Sequence, residues 1–540
     1  MRTWRYAPNE KALDDAAEMY ENLGDVEDAW AMLCPETELN RDTCKRKTDK
    51  RIVDNENNQN IPDLSASDIP YDVPYTVTKS NTKAEIKPML RNLNEKQRNT
   101  MYYVRNWCLE TLDHSKPKPF HIFVTGGAGT GKSHLIKSIE NVANEILQKT
   151  STEPDKTCVL LTAFTGTAAF NIGGCTIHHA FGLNKYMPIP YEPLREQSLS
   201  PIRAELGNLQ ILIIDEVSMV YKKLLYYIHE RLVQIKGSKM PFGGVSVIAV
   251  GDFFQLPPVK QRHDERLYME NNSYPEDFWN EYFKLVQLDE IMRQKEDVSF
   301  AQNLNMIRTR TLDVNLDNQV LQMLKRCVKD GNDNALHVFS TNDEVNEFNL
   351  HMIKKTCEDI LEVPAMDFER DKTSGKMHLR DAPFVRCKSD GMSSSLMVSV
   401  NAKVMLIRNI CVADGLVNGV TGTIVKIVKN TDNDVKAIDI TFDNENVGKN
   451  TGQKMGEMYV VTVNRCEEEM RTSSNKNFVR HQFPIRLAWA CTAHKVQETW
   501  MSDCDSLEQF ALDDFVLHHV SRKQSYVGEN EQIRDLHKAK

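Results

Sequence analysis

The chain has 540 residues, of which 41% are hydrophobic and 26% are charged, and its formal net charge is −9. This is the composition of an ordinary globular protein, and the length predicts about three or four domains. No apolar run reaches the roughly 20 residues of a membrane span, and the first residues do not lead into a secretory apolar core. We therefore expect an intracellular protein without a membrane partner. The charge excludes a uniformly basic nucleic-acid coat protein, although it allows a locally basic groove.

The first 92 residues are predicted to form an acidic, partly helical lead-in and linker. Residues 1–80 contain 17 acidic and 10 basic side chains, which gives −7 there and leaves −2 for the other 460 residues. We interpret this acidity as a solvated face rather than a regulatory tail. The 12 cysteines of the chain never occur at Cys-x-x-Cys spacing, which favours reduced thiols over a zinc site or a redox pair.

Between residues 93 and 295, apolar strands alternate with helical segments, as in a parallel α/β sheet. The predicted strands cover residues 121–125, 158–163, 210–214 and 245–250. The first strand runs into the sequence Gly-x-x-x-x-Gly-Lys-Ser, and a helical pattern follows this loop. Strand, loop and helix in this order predict a triphosphate site, because loop amides and the helix N-terminus face the phosphates.

We assign ATP and Mg²⁺ to this loop as cofactors. Lys132 is expected to reach the β and γ phosphates, and Ser133 is placed to ligate Mg²⁺. The alternative is a glycine-rich turn in another kind of βα unit. The predicted nucleotide-binding residues of the loop are Gly126, Gly127, Ala128, Gly129, Thr130, Gly131, Lys132 and Ser133.

Two more predicted strands end in polar residues that suit ATP hydrolysis. The third strand ends in Asp215 and Glu216. We expect Asp215 to hold Mg²⁺ together with the loop serine, and Glu216 to orient and activate the attacking water. The fourth strand leads to Gln255, a candidate sensor that can hydrogen-bond the γ-phosphate or the water. The alternatives are a helix-capping acidic pair and an ordinary turn.

The second half of the chain is predicted to contain another α/β block with a β-rich interruption. Short strand patterns with turn signals between them occur at residues 404–407, 422–428, 438–442 and 459–463. They predict a small barrel or sheet inserted at about residues 420–480.

In their order along the chain, these segments resemble the Pif-one and RecD branch of superfamily one helicases. The resemblance covers about residues 90–525. The segments that carry it are residues 93–97, 126–133, 165–169, 173–178, 215–219, 251–258, 292–294, 340–342, 418–419, 493–497 and 520–522. The resemblance implies an α/β fold with two RecA-like P-loop NTPase lobes, at residues 93–295 and 296–540. It also implies a strand-splitting wedge at about residues 183–208 and an SH3-like barrel for the β-rich insertion.

The activity implied by the resemblance is that of an ATP-dependent DNA helicase moving 5′-to-3′. Its partners would be single-stranded DNA and duplex junctions. Repair, recombination, telomere maintenance and transposon replication are the processes implied, in the nucleus and, as a second location, the mitochondrion. The spacing of the segments and the non-basic lead-in are similar to the helicase part of Helitron transposon proteins.

The resemblance also assigns roles to single residues. Gln97 is similar to the family's adenine-reading glutamine, and Arg293 and Arg522 are similar to arginines that reach the γ-phosphate. A guanidinium inserted from the second lobe neutralises charge on the phosphoryl group and couples lobe closure to hydrolysis. For Arg293 the alternative is an exposed helical arginine paired with a neighbouring glutamate. The implied DNA contacts are Thr165, Thr167, His178, Thr341, Asn342, His494 and Lys495.

One stretch near the end departs from the family pattern. Glu498 follows Gln497 where the family has glycine, and an acid there adds negative charge near the γ-phosphate. The alternative function is therefore a degenerate, transposon-derived protein that binds ATP and DNA without productive unwinding. A P-loop ATPase that never touches nucleic acid is a third interpretation, and the segments that resemble DNA contacts disfavour it.

Overall fold

The computed structural model describes residues 83–492 with gaps, all within the larger of two units into which the chain divides, Tyr71–Lys540. Most of the predicted lead-in therefore lies outside the described residues. None of the described helices is both long and apolar enough to cross a membrane. The gaps are residues 114, 116, 150–155, 184–186, 259–260, 270–272, 293–297, 310–319, 321, 324–335, 340, 371–376, 381, 385–391, 432–433, 457 and 473–476.

The first lobe is built on a six-stranded parallel sheet. Its strands are β1 (His121–Gly126), β2 (Val159–Ala163), β3 (Cys175–Thr176), β4 (Ile211–Asp215), β5 (Ser246–Gly251) and β6 (Lys284–Leu288). The spatial order is β3-β2-β4-β5-β1-β6, so β1 lies between β5 and β6. The four predicted strands of this lobe are confirmed. The two edge strands β3 and β6 were not predicted, because β3 has only two residues and β6 carries polar side chains between its apolar ones.

Helices cover both faces of this sheet. Successive residues of a strand point to opposite faces. Ile122 and Val124 pack in a buried cluster with the helices that flank the phosphate loop, whereas Phe123 packs with those on the other side. Because both faces are covered, the central strands are apolar throughout rather than alternating. The helices are α1 (Lys83–Arg91), α2 (Glu95–Leu112), α3 (Lys132–Leu147), α4 (Gly166–Ile172), α5 (Ile177–Ala180), α6 (Glu196–Leu206), α7 (Lys222–Lys236), α8 (Phe278–Tyr282) and α9 (Val298–Thr309), with 3₁₀ turns at Val217–Met219, Pro241–Gly244 and His263–Glu265.

The predicted wedge segment packs partly into the first lobe. Leu199, Ile202 and Leu206 of α6 are buried in the same cluster as α7. Gln234 of α7 also binds the segment, since its side chain donates to Leu194 O at 2.8 Å and accepts from the Tyr191 hydroxyl at 2.8 Å. These contacts show a structural role for residues 191–206, and the wedge function stays a prediction.

The described α/β part of the second lobe consists of three elements. These are β7 (His337–Phe339), α10 (Asn342–Thr356) and β20 (Ala490–Thr492), and the two strands pair in parallel. The buried Asn349 of α10 fixes β20, because its amide donates to Ala490 O at 3.0 Å and accepts from Ala490 N at 2.8 Å. The predicted α/β class is therefore confirmed.

The rest of the second half is antiparallel. One six-stranded sheet has the order β15-β16-β14-β13-β12-β19, and a four-stranded sheet has the order β10-β9-β18-β17, with β11 paired to β8. The strands are β8 (Leu361–Pro364), β9 (Met366–Arg370), β10 (Met377–Leu379), β11 (Ser395–Val398), β12 (Lys403–Leu406), β13 (Thr421–Lys429), β14 (Val435–Phe442), β15 (Gln453–Met455), β16 (Met458–Asn464), β17 (Cys466–Arg471), β18 (Asn477–Gln482) and β19 (Ile485–Leu487).

All four predicted strands of this region are confirmed, but the predicted limits of 420–480 were too narrow. The β-rich region runs from residue 361 to residue 487. The early strand β9 pairs with the late strand β18, and a buried ion pair joins these two strands. Arg480 binds Asp367 through two hydrogen bonds of 2.8 Å each, with side chains 2% and 0% exposed. The SH3-like character of this region stays a prediction.

Candidate nucleotide site and interface between the lobes

The phosphate loop follows β1 directly and leads into α3. Gly129 and Gly131 have φ angles of 79° and 77°, a left-handed conformation that glycine adopts without steric cost. A Cβ atom added at Gly126 would lie 2.6 Å from Thr130 Oγ1 and 2.8 Å from Leu288 O. The loop is therefore folded too tightly for side chains at its first position, and its backbone forms the wall of the site.

Lys132 lies at the centre of the site. Its ammonium donates to the carbonyl oxygens of Gly126 at 2.8 Å and Gly127 at 3.1 Å. Burial lowers the pKa of Lys132, and the nearby carboxylates of Asp252, Glu216 and Asp215 oppose that shift. The structure thus brings the predicted phosphate-binding lysine together with the two predicted carboxylates. The third carboxylate, Asp252, was not predicted.

The Gln97 side chain of α2 is hydrogen-bonded to the phosphate loop. Its side chain is 1% exposed, and its amide nitrogen donates to Thr130 O at 2.9 Å. Its amide oxygen accepts from the backbone of Asn94 at 3.0 Å, while Asn94 accepts from Gln97 N at 2.9 Å, which closes a capping box at the start of α2. The predicted adenine-reading glutamine therefore links α2 to the phosphate loop, and its contact with a base stays a prediction.

The carboxylates stand at the end of β4. Asp215 is buried and accepts from Glu216 N at 2.9 Å. Glu216 has φ 50° and ψ 46°, a left-handed conformation that is unusual for a residue with a side chain and is often found at functional sites. Burial raises the pKa of Glu216 to about 7, with Asp215 adding to the shift and Lys132 opposing it. Glu216 Oε2 is buried and has no hydrogen-bond partner in the described part of the chain.

The turn after β5 presents the candidate sensor. The backbone N–H of Gln255 donates to Asp252 O at 2.9 Å, and Phe254 N donates to Asp252 Oδ1 at 3.1 Å. Asp252 is fully buried, and Arg308 of α9 binds its carboxylate through two hydrogen bonds. Sequence reasoning missed Arg308, because its partner lies 56 residues away and no local pattern marks the pair.

A cavity of about 720 Å³ opens beside the phosphate loop, which is the size of a small-molecule site. Its walls come from the loop, from the end of β6 and from α9, including Gly127, Phe254, Leu288 and Arg308. Helix α9 begins after residue 295, the predicted end of the first lobe, yet it lines this cavity.

The first lobe also contacts the β-rich region. The Thr167 hydroxyl donates to Asn418 O at 2.9 Å, and Asn418 N donates to Asn409 Oδ1 at 2.9 Å. Any Cβ atom at Gly166 would overlap the Asn409 side chain. Thr165 caps α4 by accepting from Ala168 N at 3.2 Å. The two predicted DNA contacts in this segment thus have structural roles as well, and DNA contact stays a prediction for both.

These geometries can be compared with known proteins. Residues 92–315, which contain the loop, the carboxylates, the sensor turn and Arg308, match the family model described as PIF1-like helicase. These residues form a PIF1-like helicase domain. The ATP-dependent DNA helicase PIF1 of Emericella nidulans is 31% identical over 332 residues, which are 60% of this chain and 41% of that protein. The mouse protein of the same name is 28% identical over 378 residues, which are 70% of this chain and 52% of that protein.

The chain thus spans about half the length of these relatives. A bacterial relative, the ATP-dependent DNA helicase Pif1 of Campylobacter jejuni, is matched over 85% of its length and 75% of this chain at 28% identity. Among solved structures, Pif1 helicase from Candida albicans has a TM-score of 0.53 and 24% identity, over 77% of this chain and 90% of that one. Bacteroides Pif1 bound to single-stranded DNA has a TM-score of 0.52 and 24% identity, over 78% and 97% of the chains. These structures confirm the predicted RecA-like fold.

Four of the predicted site residues lie beyond the ends of described segments. Met292, just before Arg293, donates its backbone N–H to Gly129 O of the loop at 2.8 Å. Strands β7 and β20 run in parallel and end side by side. Arg293, His494, Lys495 and Arg522 themselves, like Glu498, lie outside the described residues, and their roles stay predictions.

The remaining predicted DNA contacts are described. Thr341 caps α10 in a capping box, because its hydroxyl accepts from Glu344 N at 3.3 Å and its own N–H donates to Glu344 Oε2 at 3.0 Å. Asn342 is exposed in the first turn of that helix. His178 is half-buried on α5, where its ring meets the edge of Phe164 at 6.0 Å and burial lowers its pKa. Their contact with DNA stays a prediction.

Proposed function

We propose that this protein is an ATP-dependent DNA helicase that moves 5′-to-3′ on single-stranded DNA by hydrolysing ATP. One observation carries the proposal: Lys132, Asp215, Glu216 and the turn of Gln255 meet at one edge of the parallel sheet, within the PIF1-like domain. In open α/β folds, ligands bind at the carboxyl ends of the strands, which is where these groups stand.

Mg²⁺ fits the side chains present. Glu216 Oε2 and Thr125 Oγ1 are buried oxygens without hydrogen-bond partners among the described residues, and such atoms favour a site that takes a cation or ordered water. Asp215 and Ser133 would hold the ion, which prefers oxygen ligands and usually binds through one or two carboxylates and phosphate oxygens. When bound, Mg²⁺ neutralises charge on the phosphoryl group.

The chain's own residues supply the other parts of hydrolysis. The loop amides and Lys132 hold the β and γ phosphates, and Glu216 accepts a proton from the attacking water. Gln255 contacts the γ-phosphate or that water. Arg293 and Arg522 would add positive charge at the γ-phosphate, and an arginine supplied by the second lobe would link closure of the lobes to hydrolysis.

For the nucleic acid, we propose single-stranded DNA and duplex junctions as partners. The hydroxyl, amide and basic groups of Thr165, Thr167, His178, Thr341, Asn342, His494 and Lys495 suit phosphate contacts. The names of the eukaryotic relatives support a role in DNA processing. We therefore place the protein in repair, recombination, telomere maintenance or transposon replication, in the nucleus and, as a second location, the mitochondrion.

The second candidate function is a degenerate, transposon-derived protein that binds ATP and DNA without unwinding. It is favoured by Glu498, which stands where the resembling family has glycine. A carboxylate near the γ-phosphate opposes triphosphate binding in a partly desolvated cleft.

The deciding measurement is ATP hydrolysis with and without a single-stranded oligonucleotide, on the unmodified chain, Lys132→Ala and Glu498→Gly. We expect DNA-stimulated hydrolysis that falls about 100-fold in Lys132→Ala, because the triphosphate charge loses its main partner. Unwinding of 5′-tailed but not 3′-tailed duplexes then tests polarity. Stimulation that appears only in Glu498→Gly would support the degenerate protein instead, and no binding of the oligonucleotide at low salt would contradict both.

A further inference from the structure

Arg308 makes a close two-point contact with the sensor turn. Its Nε donates to Asp252 Oδ2 at 2.5 Å and its Nη2 donates to Asp252 Oδ1 at 2.8 Å. The Arg308 side chain is 20% exposed and the Asp252 side chain 0%. A bidentate guanidinium–carboxylate pair fixes both distance and orientation, which a lysine in the same place cannot do.

The same guanidinium contacts the turn at a second place. Its central carbon lies 4.9 Å from the centroid of the Phe254 ring, in cation–π geometry. Asp252 in turn accepts from Phe254 N with its side chain and from Gln255 N with its backbone carbonyl. Arg308 therefore contacts two residues of the turn, Asp252 and Phe254, and Asp252 is in turn hydrogen-bonded to Gln255 N.

Arg308 also borders the phosphate loop. A Cβ atom added at Gly127 would lie 3.8 Å from three atoms of the Arg308 side chain. The charge of Arg308 lowers the pKa of Lys132, which places the two cations in one electrostatic site. Its third described bond, from Nη1 to Asn305 Oδ1 at 2.8 Å, fixes the side chain against its own helix.

We propose that Arg308 is a positioning residue for ATP hydrolysis, which holds the turn of Gln255 against the phosphate loop and ties α9 to that turn. This inference rests on the proposed ATPase function. Because α9 is one wall of the cavity, a shift of this helix moves the sensor turn with it. The Arg308–Asp252 pair thereby transmits the position of α9 to the groups that face the γ-phosphate.

Steady-state ATP hydrolysis in the presence of single-stranded DNA tests this role. In Arg308→Gln we expect kcat to fall about tenfold or more while the KM for ATP stays within about threefold, because the sensor turn is misplaced but the phosphate loop is intact. Arg308→Lys, which keeps the charge without the bidentate contact, should recover part of kcat. Arg380→Gln is the matched control, because Arg380 is an exposed arginine of the β-rich region that pairs with Glu369 and lies over the Phe384 ring, as Arg308 does with Asp252 and Phe254.

A double-mutant cycle separates positioning from loss of charge. Asp252→Asn alone should lower kcat as Arg308→Gln does. The kcat of the double variant should lie within about threefold of the kcat of the poorer single variant, because both substitutions remove the same contact. An unchanged kcat in Arg308→Gln, or a loss confined to KM, overturns the proposal. If the unmodified chain hydrolyses no ATP, the proposed function has failed instead.

Amide hydrogen exchange tests the positioning role without catalysis. The N–H groups of Phe254 and Gln255 are both bonded within the turn that Arg308 holds. We expect exchange in a peptide covering residues 250–258 to become about tenfold faster in Arg308→Gln and to stay unchanged in Arg380→Gln. Equal exchange in both variants would show that the ion pair does not hold the turn, whether or not the protein is active.

Discussion

The Gln97 side chain joins two parts of the first lobe through a single amide group. It closes the capping box of α2 and also binds Thr130 O of the phosphate loop. In Gln97→Ala, the buried Thr130 carbonyl and the Asn94 N–H both lose their partner. We expect the free energy of unfolding to fall by about 1–3 kcal/mol, as for other buried groups left without a hydrogen bond. Urea unfolding of the two proteins measures this difference.

The matched control for this prediction is Gln148→Ala. Gln148 is an exposed glutamine at the C-cap of α3, and its removal should change the unfolding free energy by less than about 0.5 kcal/mol. A change in Gln97→Ala as small as that of the control would mean that water replaces the lost hydrogen bonds, and that Gln97 does not support the loop.

At this scale, the sequence predicts residues whose role is set by their neighbours in the chain. The loop glycines, Lys132 and the carboxylates after β4 follow from a strand and a few adjacent positions. The Arg308–Asp252 pair does not, because it joins residues 56 positions apart and each is unremarkable in its own segment. The support of the loop by Gln97 was hidden for the same reason, since only the fold brings α2 under the loop.

The contact between α4 and the segment that follows β12 depends on two glycines. Gly166 begins α4 beside Asn409, and Gly415 lies against Phe170 with φ 73°. Phe170 packs onto the core of the β-rich region, while Val412 packs onto the core of the first lobe. Each of the two elements therefore packs one side chain against the core on the other side of the contact, and neither glycine has room for a Cβ atom.

We expect Gly166→Ala to weaken this contact. The added methyl overlaps the Asn409 side chain, and overpacking of this kind costs about 1–3 kcal/mol even though alanine favours helix. Thermal unfolding should show a lower Tm for the variant. Because α4 follows the predicted DNA contact Thr165, affinity for a single-stranded oligonucleotide should be measured on the same samples.

A second substitution makes this prediction specific. When Asn409 is already alanine, the added methyl has space. Gly166→Ala should therefore lower the free energy of unfolding by less in the Asn409→Ala background than in the unmodified chain. Equal losses from Gly166→Ala in both backgrounds would show that the Asn409 side chain is not the obstacle.

Elements were predictable where one physical signal dominated. The central strands of the first sheet are apolar on both faces, and strands β12, β13, β14 and β16 are bounded by turns. The signal was weak at sheet edges, where β3 is very short and β10 is exposed at every position. Strand β9 of the β-rich region was missed because it pairs with a partner about 100 residues later, as Phe368 does with Val479.

For the molecule as a whole, the α/β class and the RecA-like fold were predictable from the order of the strands and the phosphate loop. The contacts between the parts were not. Contacts such as Thr167 with Asn418 join positions 251 residues apart, and no periodicity in the sequence encodes such a pair. The sequence does not predict the contacts among the buried aromatic and histidine rings of the first lobe either, and these contacts bear on its stability in acid.

Two histidines of the first lobe should make its stability depend on pH. His121 begins β1, is 8% exposed and packs among the rings of Phe242, Tyr282 and Phe283 at 5.1 to 5.9 Å. Its Nε2 has no hydrogen-bond partner among the residues that the structure describes. His229 stacks on Phe278 at 4.1 Å and accepts from Phe242 N at 3.0 Å. Burial lowers the pKa of each histidine to about 4.

The sign of the effect follows from linkage. A histidine in the unfolded chain takes up a proton near pH 6.5, whereas in the folded lobe it stays neutral until about pH 4. The unfolded state therefore binds more protons between these values, so stability falls as the pH is lowered from 6.5 to 4. For His121 the loss over this window is about 3 kcal/mol, since each pKa unit corresponds to about 1.4 kcal/mol.

Denaturant unfolding at pH 7.5, 6, 5 and 4 measures this loss, and in His121→Phe the free energy of unfolding should depend less steeply on pH. Phenylalanine keeps the ring contacts and cannot be protonated, so the variant should be most favoured relative to the unmodified chain at the lowest pH. The exposed His263, changed to glutamine, is the control and should leave the slope as it was. A parallel pH dependence in His121→Phe would mean that the acid sensitivity of this lobe comes from other groups, with the buried His229 the first to test.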